Sequence, residues 1–220
     1  MKATLLVLAL AGLLAAVPAL ADEETLPVLS YPVITTTAGQ SADIITLNIL
    51  VEEAGVKYDY CDVPTPEMMA TGVGLGAAVS APGFHVESYT DTELYPIGTP
   101  FKTLVVVIGA SLKGMGASGL TIESEISRTV DVLEYCKENE IFVVAVHIGG
   151  LVARGAEDGD NEVIIDAVAP YADYIIVTAE GNEDGRFTEI AEEREIPLTQ
   201  IDYALGLIDV LKQAFGIEEE

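Results

Sequence analysis

The sequence predicts an α/β fold: a mostly parallel sheet of five or six strands with helices on both faces. After residue 22, short runs of β-branched and apolar residues alternate with amphipathic helical patterns. This alternation is typical of parallel strands joined by right-handed crossovers. The run LVVVI at 104–108 contains no polar residue, as expected for a strand covered on both faces. We therefore expect a three-layer, doubly wound domain. A flavodoxin-like strand order, 2-1-3-4-5 with a short sixth strand at the edge, is favoured over the Rossmann-like order 3-2-1-4-5-6.

The first predicted unit is a strand, a helix and a second strand. A short β-branched segment at 31–35 gives the first strand, and a helix is predicted at 41–54 because its pattern ends at Gly55. Residues 57–62 form the second predicted strand, and the apolar run at 104–108 forms the third.

The second half of the chain repeats the alternation. The helix predicted at 121–139 begins at Thr121, whose hydroxyl can cap it, and places Ile122, Ile126 and Leu133 on one face. The same patterns predict, in order, strand 141–147, helix 161–168, strand 174–177, helix 188–195, strand 198–201 and helix 203–215.

The segment 63–102 interrupts this alternation of strands and helices. It is rich in glycine and proline and too long for an ordinary connection within a compact domain. We expect one α/β domain that spans residues 22–220. The segment carries Phe84, Tyr89, Tyr95 and Phe101, so we expect it to pack against the rest of this domain. It could do so as a cover over the site or as a peripheral loop.

The first residues predict export. Lys2 precedes an apolar stretch at 5–17, and Ala19-Leu20-Ala21 precedes an acidic residue, which is typical of a signal peptide cleaved after Ala21. The apolar stretch is shorter than the about 20 residues of a membrane span. We therefore expect a secreted or periplasmic protein without membrane insertion after cleavage.

The acidity of the chain excludes some partners. The formal net charge is −26, with 36 Asp and Glu against 10 Lys and Arg. Such a surface repels nucleic acid and anionic lipid, so we expect neither as a main partner. The two cysteines, Cys61 and Cys136, fall near opposite edges of the predicted sheet, so two buried thiols are expected rather than a disulfide.

The loops after the strands contain the candidate site, because ligands of open parallel sheets bind beyond the carboxyl ends of the strands. Three of the few cations, Lys113, Arg154 and Arg186, fall in such loops, which suggests a site for an anion or a polar molecule, unless each pairs with a neighbouring acid such as Glu157 or Asp184. The predicted ligand-binding residues are Thr36, Gly39, Gln40, Ser41, Ser111, Lys113, His147, Arg154, Asn182 and Arg186.

Familiar cofactor motifs fit poorly, and no cofactor or metal is expected. Gly114, Gly116 and Gly119 have G-x-G-x-x-G spacing, but four residues delay the first glycine after Gly109, and the next strand ends in His147 rather than an acid. No Gly-Lys-Ser/Thr phosphate loop occurs, and the loops lack the aromatic residues that would sandwich FMN. The acid-rich run at 157–162 lacks the EF-hand spacing.

Catalysis is the second interpretation. A Ser-His-Asp triad in the hydrolase order needs a histidine late in the chain, and the two histidines are His85 and His147. A nucleophile such as Ser41, Ser111 or Ser118 with His147 as general base stays open.

The four loop motifs together resemble a known family. TTTAGQSAD, VVVIGASLKGMGASGLTIESE, HIGGLVARGA and VTAEGNEDGRFTEIA, followed by IPLT, are similar to an uncharacterised family of exported bacterial proteins described as a domain of unknown function. The resemblance implies a signal peptide and a single α/β domain but no catalytic residue, ligand or partner.

The leading interpretation is a non-catalytic binding protein for a small anionic or polar ligand. A small secreted hydrolase that uses Ser111 or another serine with His147 is the alternative. A cell-envelope interaction protein with an unidentified protein partner, which uses the segment 63–102 as its contact surface, is a third.

Overall fold

Seven strands form one sheet in the computed structural model, which describes residues 26–76, 85–156 and 158–218. The strands are β1 (Val33–Ala38), β2 (Tyr58–Cys61), β3 (Val86–Ser88), β4 (Thr103–Ile108), β5 (Phe142–His147), β6 (Tyr174–Thr178) and β7 (Leu198–Ile201). Their order is β3-β2-β1-β4-β5-β6-β7, and only β3 is antiparallel to its neighbour. The six parallel strands thus follow the favoured flavodoxin-like order. The predicted signal peptide lies outside the described residues.

Helices cover both faces of this sheet. They are α1 (Asp43–Glu53), α2 (Pro66–Ala70), α3 (Leu112–Ala117), α4 (Ile122–Glu138), α5 (Leu151–Arg154), α6 (Asp160–Val168), α7 (Arg186–Arg194) and α8 (Leu207–Phe215). Apolar residues of α1 and α8 pack on one face, and those of α4, α6 and α7 pack on the other. The α/β architecture with a mostly parallel sheet is therefore confirmed. Each face supplies its own apolar core, since successive residues of a strand point to opposite sides.

The predicted number of five or six strands is wrong, because β3 adds a seventh. This strand lies in the glycine- and proline-rich segment, and its Glu87 pairs with Tyr60 of β2. Its three residues carry one apolar side chain at the very edge of the sheet, so no hydrophobic pattern marked them. The same segment buries Val73, Leu75 and Phe101 in the core on the α4 face. Phe84, which was expected to help pack this segment, lies outside the described residues.

Short helices α2, α3 and α5 occupy stretches in which the sequence predicted loops. Helix α3 contains Gly114, a poor helix former, but Ser111 caps it by accepting a hydrogen bond from the Gly114 N–H. Thr121 caps α4 as predicted, and Ser124 completes a capping box.

Both cysteines are free and buried, as predicted. Burial raises the pKa of the Cys61 thiol and that of the Cys136 thiol to about 12, so neither is a reactive thiolate at neutral pH. None of the helices in the described ranges is long and apolar enough to cross a bilayer.

Candidate functional site at the carboxyl edge of the sheet

The strand order reverses between β1 and β4, which is where ligands of this fold class bind. The loop after β1, which we call the first loop, and the loop after β4, which we call the third loop because β4 is the third strand predicted from the sequence, are joined directly to each other. The Ser111 N–H donates to the Gly39 carbonyl at 2.8 Å, the Gly109 N–H donates to the Ala38 carbonyl at 3.0 Å, and Gln40 forms an isolated bridge with Ala110. The crevice at the switch point is therefore closed by backbone contacts between the loops.

Two glycines make this close approach possible. Gly39 has a φ of +97°, and a Cβ there would lie 2.4 Å from the Gly109 carbonyl oxygen. A Cβ on Gly114 would lie 2.2 Å from the Gln40 carbonyl oxygen. Both distances are far below van der Waals contact, so these positions require glycine. Of the glycines with G-x-G-x-x-G spacing, Gly114 therefore serves close packing, whereas a Cβ on Gly116 or Gly119 would meet no atom within 4 Å.

A buried ion pair lies beneath this junction. Glu125, fully buried in the first turn of α4, accepts a hydrogen bond from the Gly39 N–H at 2.8 Å. Arg128 donates to the same carboxylate through Nε at 3.0 Å and Nη2 at 2.7 Å, and also to the Pro64 and Thr37 carbonyls. In phosphate-binding loops the backbone N–H after the first strand faces an anion. Here the protein's own carboxylate accepts that hydrogen bond.

The predicted residues of the first loop are held by internal contacts. Gln40 donates from Nε2 to the Asp62 carbonyl at 2.9 Å and accepts from Ser118 at 3.2 Å. Ser41 donates to Asp43 at 2.8 Å. Thr36 lies within β1, where its buried hydroxyl has no hydrogen-bond partner in the described part of the chain.

Lys113 lies on the surface of α3 next to the capping residue Ser111. It is exposed, and no ion pair between described residues includes it. The Ala110 N–H donates to the Asn161 side chain at 2.6 Å, which joins this loop to the start of α6. Of the three cations predicted at this edge, Lys113 is the one that is exposed and has no ion pair with a described residue.

Arg154 is buried and fully engaged. Its Nε and Nη2 donate to the Glu162 carboxylate, each at 2.7 Å, and its Nη1 donates to Asp184 at 2.8 Å and to the Gly181 carbonyl at 2.9 Å. The guanidinium carbon lies 5.7 Å from the centre of the Phe187 ring. Two carboxylates therefore balance its charge within the protein.

The predicted residues of the segment after β6, Asn182 and Arg186, are also engaged. The Asn182 side chain accepts from the Phe187 and Thr188 N–H groups and donates to Thr188 and Gln200, which ties the start of α7 to β7. Arg186 pairs with Asp166 and with Glu189. Both arginines therefore pair with acids, although Asp184 pairs with Arg154, 30 positions away, rather than with its sequence neighbour Arg186. Glu157 lies outside the described residues.

His147, at the carboxyl end of β5, has one nitrogen with no partner. Its Nδ1 lies 2.9 Å from the Ile108 carbonyl, which can only accept, so Nδ1 carries the proton. Its Nε2 is then a lone-pair acceptor, and it is buried without a hydrogen-bond partner among the described residues. The ring stacks on Phe187 with centroids 5.2 Å apart. Burial, followed by the positive charge of Arg154, lowers the pKa of His147, so the ring is neutral at pH 7.

This lowered pKa predicts a dependence of stability on pH. The unfolded chain binds a proton at His147 near pH 6.5, whereas the folded chain binds it only at lower pH. The free energy of unfolding therefore decreases as pH falls from about 6.5 to the pKa of the folded chain. The amide of His147→Asn can still donate to Ile108. We expect the free energy of unfolding of this variant, measured with urea between about pH 7.5 and 5, to decrease less steeply with falling pH than that of the parent chain. Equal slopes for the parent and His147→Asn would contradict the assignment.

The hydrolase alternative lacks a nucleophile that contacts its base. The hydroxyls of Ser41 and Ser118 donate to other side chains, and that of Ser111 caps α3. Within the described ranges, no serine hydroxyl is hydrogen-bonded to His147. The described residues also contain no cluster of His, Cys, Asp and Glu arranged to hold a metal.

Sequence reasoning missed the carboxylates that organise this edge. Glu125 and Glu162 lie inside predicted helices, where an acid is normally solvated. The spacing of Glu125 and Arg128, three residues apart in a helix that follows the third loop, was the available signal. No sequence pattern indicated that Glu125 would reach the Gly39 N–H.

Comparisons with known proteins give a family but no activity. A family model described as Domain of unknown function (DUF6305) matches residues 30–215. No curated protein matches the sequence. The crystal structure of pyridoxal kinase from Entamoeba histolytica is similar at 12% identity and a TM-score of 0.39, over 76% of this chain and 62% of the kinase chain. The chain thus spans less than two thirds of that kinase, and a similarity this weak carries no functional argument. Because the family match includes every parallel strand and all four loop motifs, the chain belongs to the family described as Domain of unknown function (DUF6305), as the loop motifs predicted.

Proposed function

We propose that this domain binds a small polar molecule at the carboxyl edge of the sheet, through a hydrogen bond from the ligand to Nε2 of His147. The observation that carries the proposal is the buried Nε2 acceptor without a partner. Leaving a buried polar atom unpaired costs about 1–3 kcal/mol, so such an atom calls for an explanation, and a ligand donor supplies one.

The chemistry of the edge favours a hydrogen-bond donor over an anion. A neutral imidazole that donates from Nδ1 offers only a lone pair at Nε2, and an anion without a proton cannot bond to it. The carboxylates around Arg154 and Arg186 already balance those charges. A hydroxyl, amide or amine on the ligand fits His147, whereas Lys113 is the group available to a ligand with a carboxylate or phosphate. Of the two ligand classes expected from the sequence, the polar one is therefore preferred.

Glycines cover the acceptor. A Cβ on Gly149 would lie 3.4 Å from Nε2 of His147, and one on Gly181 would lie 2.7 Å from the ring carbon Cδ2. Thr178 holds this cover by donating to the Gly149 carbonyl at 3.0 Å and accepting from the Gly181 N–H. Since Nε2 is buried, we propose that the ligand enters when the segment at 149–155 moves aside. The predicted secretory signal makes an extracytoplasmic small molecule part of the same proposal.

Ligand-dependent melting tests this function. We expect polyols and amides from a panel of small polar molecules to raise the Tm of the parent chain but not that of His147→Asn. If only phosphates or carboxylates raise the Tm, and Lys113→Ala abolishes the increase, the anion interpretation replaces this one. If native mass spectrometry of gently purified protein finds no retained molecule and no compound raises the Tm, the binding function is wrong.

A further inference from the structure

A cavity lies at the opposite side of the switch point from His147, where the antiparallel strand β3 ends the sheet. It is a groove of about 470 Å³ between α1 and the β2–β3 pair, within the size range of small-molecule sites. We call it the edge groove. Tyrosines, a histidine and two carboxylates line it beside the exposed isoleucines of α1. Strands β1 and β4 separate its β2 wall from His147 in β5.

The antiparallel register places the aromatic residues on one face. Tyr58 and Tyr60 are two residues apart in β2, so their side chains lie on the same face of the sheet. Both point toward α1 and belong to the core on that face. Tyr60 pairs with Glu87, and the Tyr89 N–H donates to the Tyr58 carbonyl at 2.8 Å, so Tyr89 lies opposite Tyr58. Residues directly opposite in an antiparallel pair share a face of the sheet.

Four rings form the floor and one side of the groove. Tyr58 and Tyr89 have centroids 5.2 Å apart at an angle of 47°, and Tyr60 and His85 have centroids 5.7 Å apart at 45°. Tyr58 and Tyr60 are buried, whereas Tyr89 is 48% exposed. Each pair is in ring–ring contact, so a guest would lie against the exposed side of the Tyr89 ring rather than between the rings. The negative face of an aromatic ring attracts a cation.

Carboxylates give the groove its charge. Glu87 accepts from the Tyr89 hydroxyl at 2.6 Å and lies 2.7 Å from Nε2 of His85, so its position is fixed. These hydrogen bonds, that of Tyr89 first, lower the pKa of Glu87 and keep it ionised at neutral pH. Glu52 of α1 is a second carboxylate of the lining, and no lysine or arginine belongs to the described lining.

Apolar side chains complete the opposite wall. Ile45 and Ile49, one turn apart on α1, are 64% and 54% exposed. Isoleucines are normally buried, so two of them beside an aromatic floor indicate contact with an apolar part of a guest. The groove therefore combines ring faces, fixed negative charge and an apolar wall. An anion would meet two carboxylates, and a neutral sugar would leave the charge of the site unused.

From this combination we propose that the edge groove binds an organic cation, namely an alkylated ammonium group held over the exposed ring of Tyr89, which packs on Tyr58, with Glu87 as counter-charge and Ile45 and Ile49 against its alkyl substituents. This site is independent of the carboxyl edge. It takes a different class of ligand from a different set of residues.

The test uses choline as the probe and its uncharged isostere 3,3-dimethylbutan-1-ol as the matched ligand, with ¹H–¹⁵N NMR of the full chain as the readout. We expect saturable shifts at Asn48, Tyr58 and Tyr89 with choline, and an affinity for the isostere weaker by about tenfold, as expected for a cation–π contribution of ordinary size. Glu87→Gln and Tyr89→Leu should each weaken choline binding about tenfold. Tyr203→Leu, at an exposed tyrosine outside the groove, is the control and should leave it unchanged.

Three outcomes would overturn the proposal. They are equal affinity for choline and its isostere, absence of saturable shifts up to the solubility limit of choline, and shifts produced by glucose but not by choline, which would make the groove a sugar site. A correctly folded Tyr89→Leu variant is verified by its NMR spectrum before titration. His147→Asn should retain choline binding, so failure at one site is distinguishable from failure at the other.

Discussion

Replacing Glu125 with alanine is expected to lower the free energy of unfolding by about 3–5 kcal/mol, the range found when one partner of a buried ion pair is removed. The substitution would leave the guanidinium of Arg128, whose side chain is 10% exposed, without its carboxylate. It would also remove the acceptor of the Gly39 N–H beneath the junction of the first and third loops. Urea unfolding at neutral pH measures the loss.

Two further variants separate this ion pair from a general effect of removing acids. Glu123→Ala removes an exposed carboxylate from the same first turn of α4, and it should cost much less, because solvent screens the interaction of that carboxylate with the helix dipole. The double variant Glu125→Leu with Arg128→Met should lose less stability than Glu125→Ala alone, because no unpaired charge remains buried. A loss for Glu125→Ala as small as that for Glu123→Ala would show that the ion pair does not hold the loops.

The second large effect is expected for Gly39→Ala, with a loss of at least about 3 kcal/mol. The added Cβ would lie 2.4 Å from the Gly109 carbonyl oxygen and 2.7 Å from Cδ1 of Ile164, and the φ of +97° is unfavourable for alanine. The first and third loops would have to separate at the switch point. Thermal or urea unfolding of the variant gives the magnitude.

Gly116→Ala is the matched control for Gly39→Ala. Gly116 belongs to the same glycine-rich stretch as Gly114, but a Cβ there would meet no atom within 4 Å. Since it lies inside α3, alanine should stabilise the chain by up to about 1 kcal/mol. Similar results for the two variants would mean that the loops are not in the close contact described above.

The fold could be predicted because most strands and helices have a hydrophobic pattern that is visible within their own stretch of sequence. The apolar run of β4 and the amphipathic pattern of α4 each specify an element through their own periodicity, and alternation then implies the parallel sheet. Strand β3 and helix α3 could not be predicted in this way. The first is stabilised by pairing with β2, and the second by a serine cap and by contact of Gly114 with the first loop.

The candidate site was predictable only in its position. The strand order places the loops at one edge, and His147 was recognised as a titratable group at a strand end. The charge available to a ligand depends on contacts between distant residues, such as that of Arg154 with Asp184, 30 positions along the chain. Pairing over such separations leaves no periodic pattern, so the sequence could not distinguish a free arginine from a neutralised one.

The central claim is that Nε2 of His147 accepts a hydrogen bond from a polar ligand. The most direct measurement is the ¹⁵N chemical shift of the two His147 ring nitrogens, before and after addition of a compound that raises the Tm. We predict a protonated Nδ1 in both states, and an Nε2 resonance that moves from that of a free lone pair to that of a hydrogen-bonded acceptor. An Nε2 resonance that stays unchanged at saturation, or a ring found protonated at Nε2 in the free protein, would contradict the proposed site.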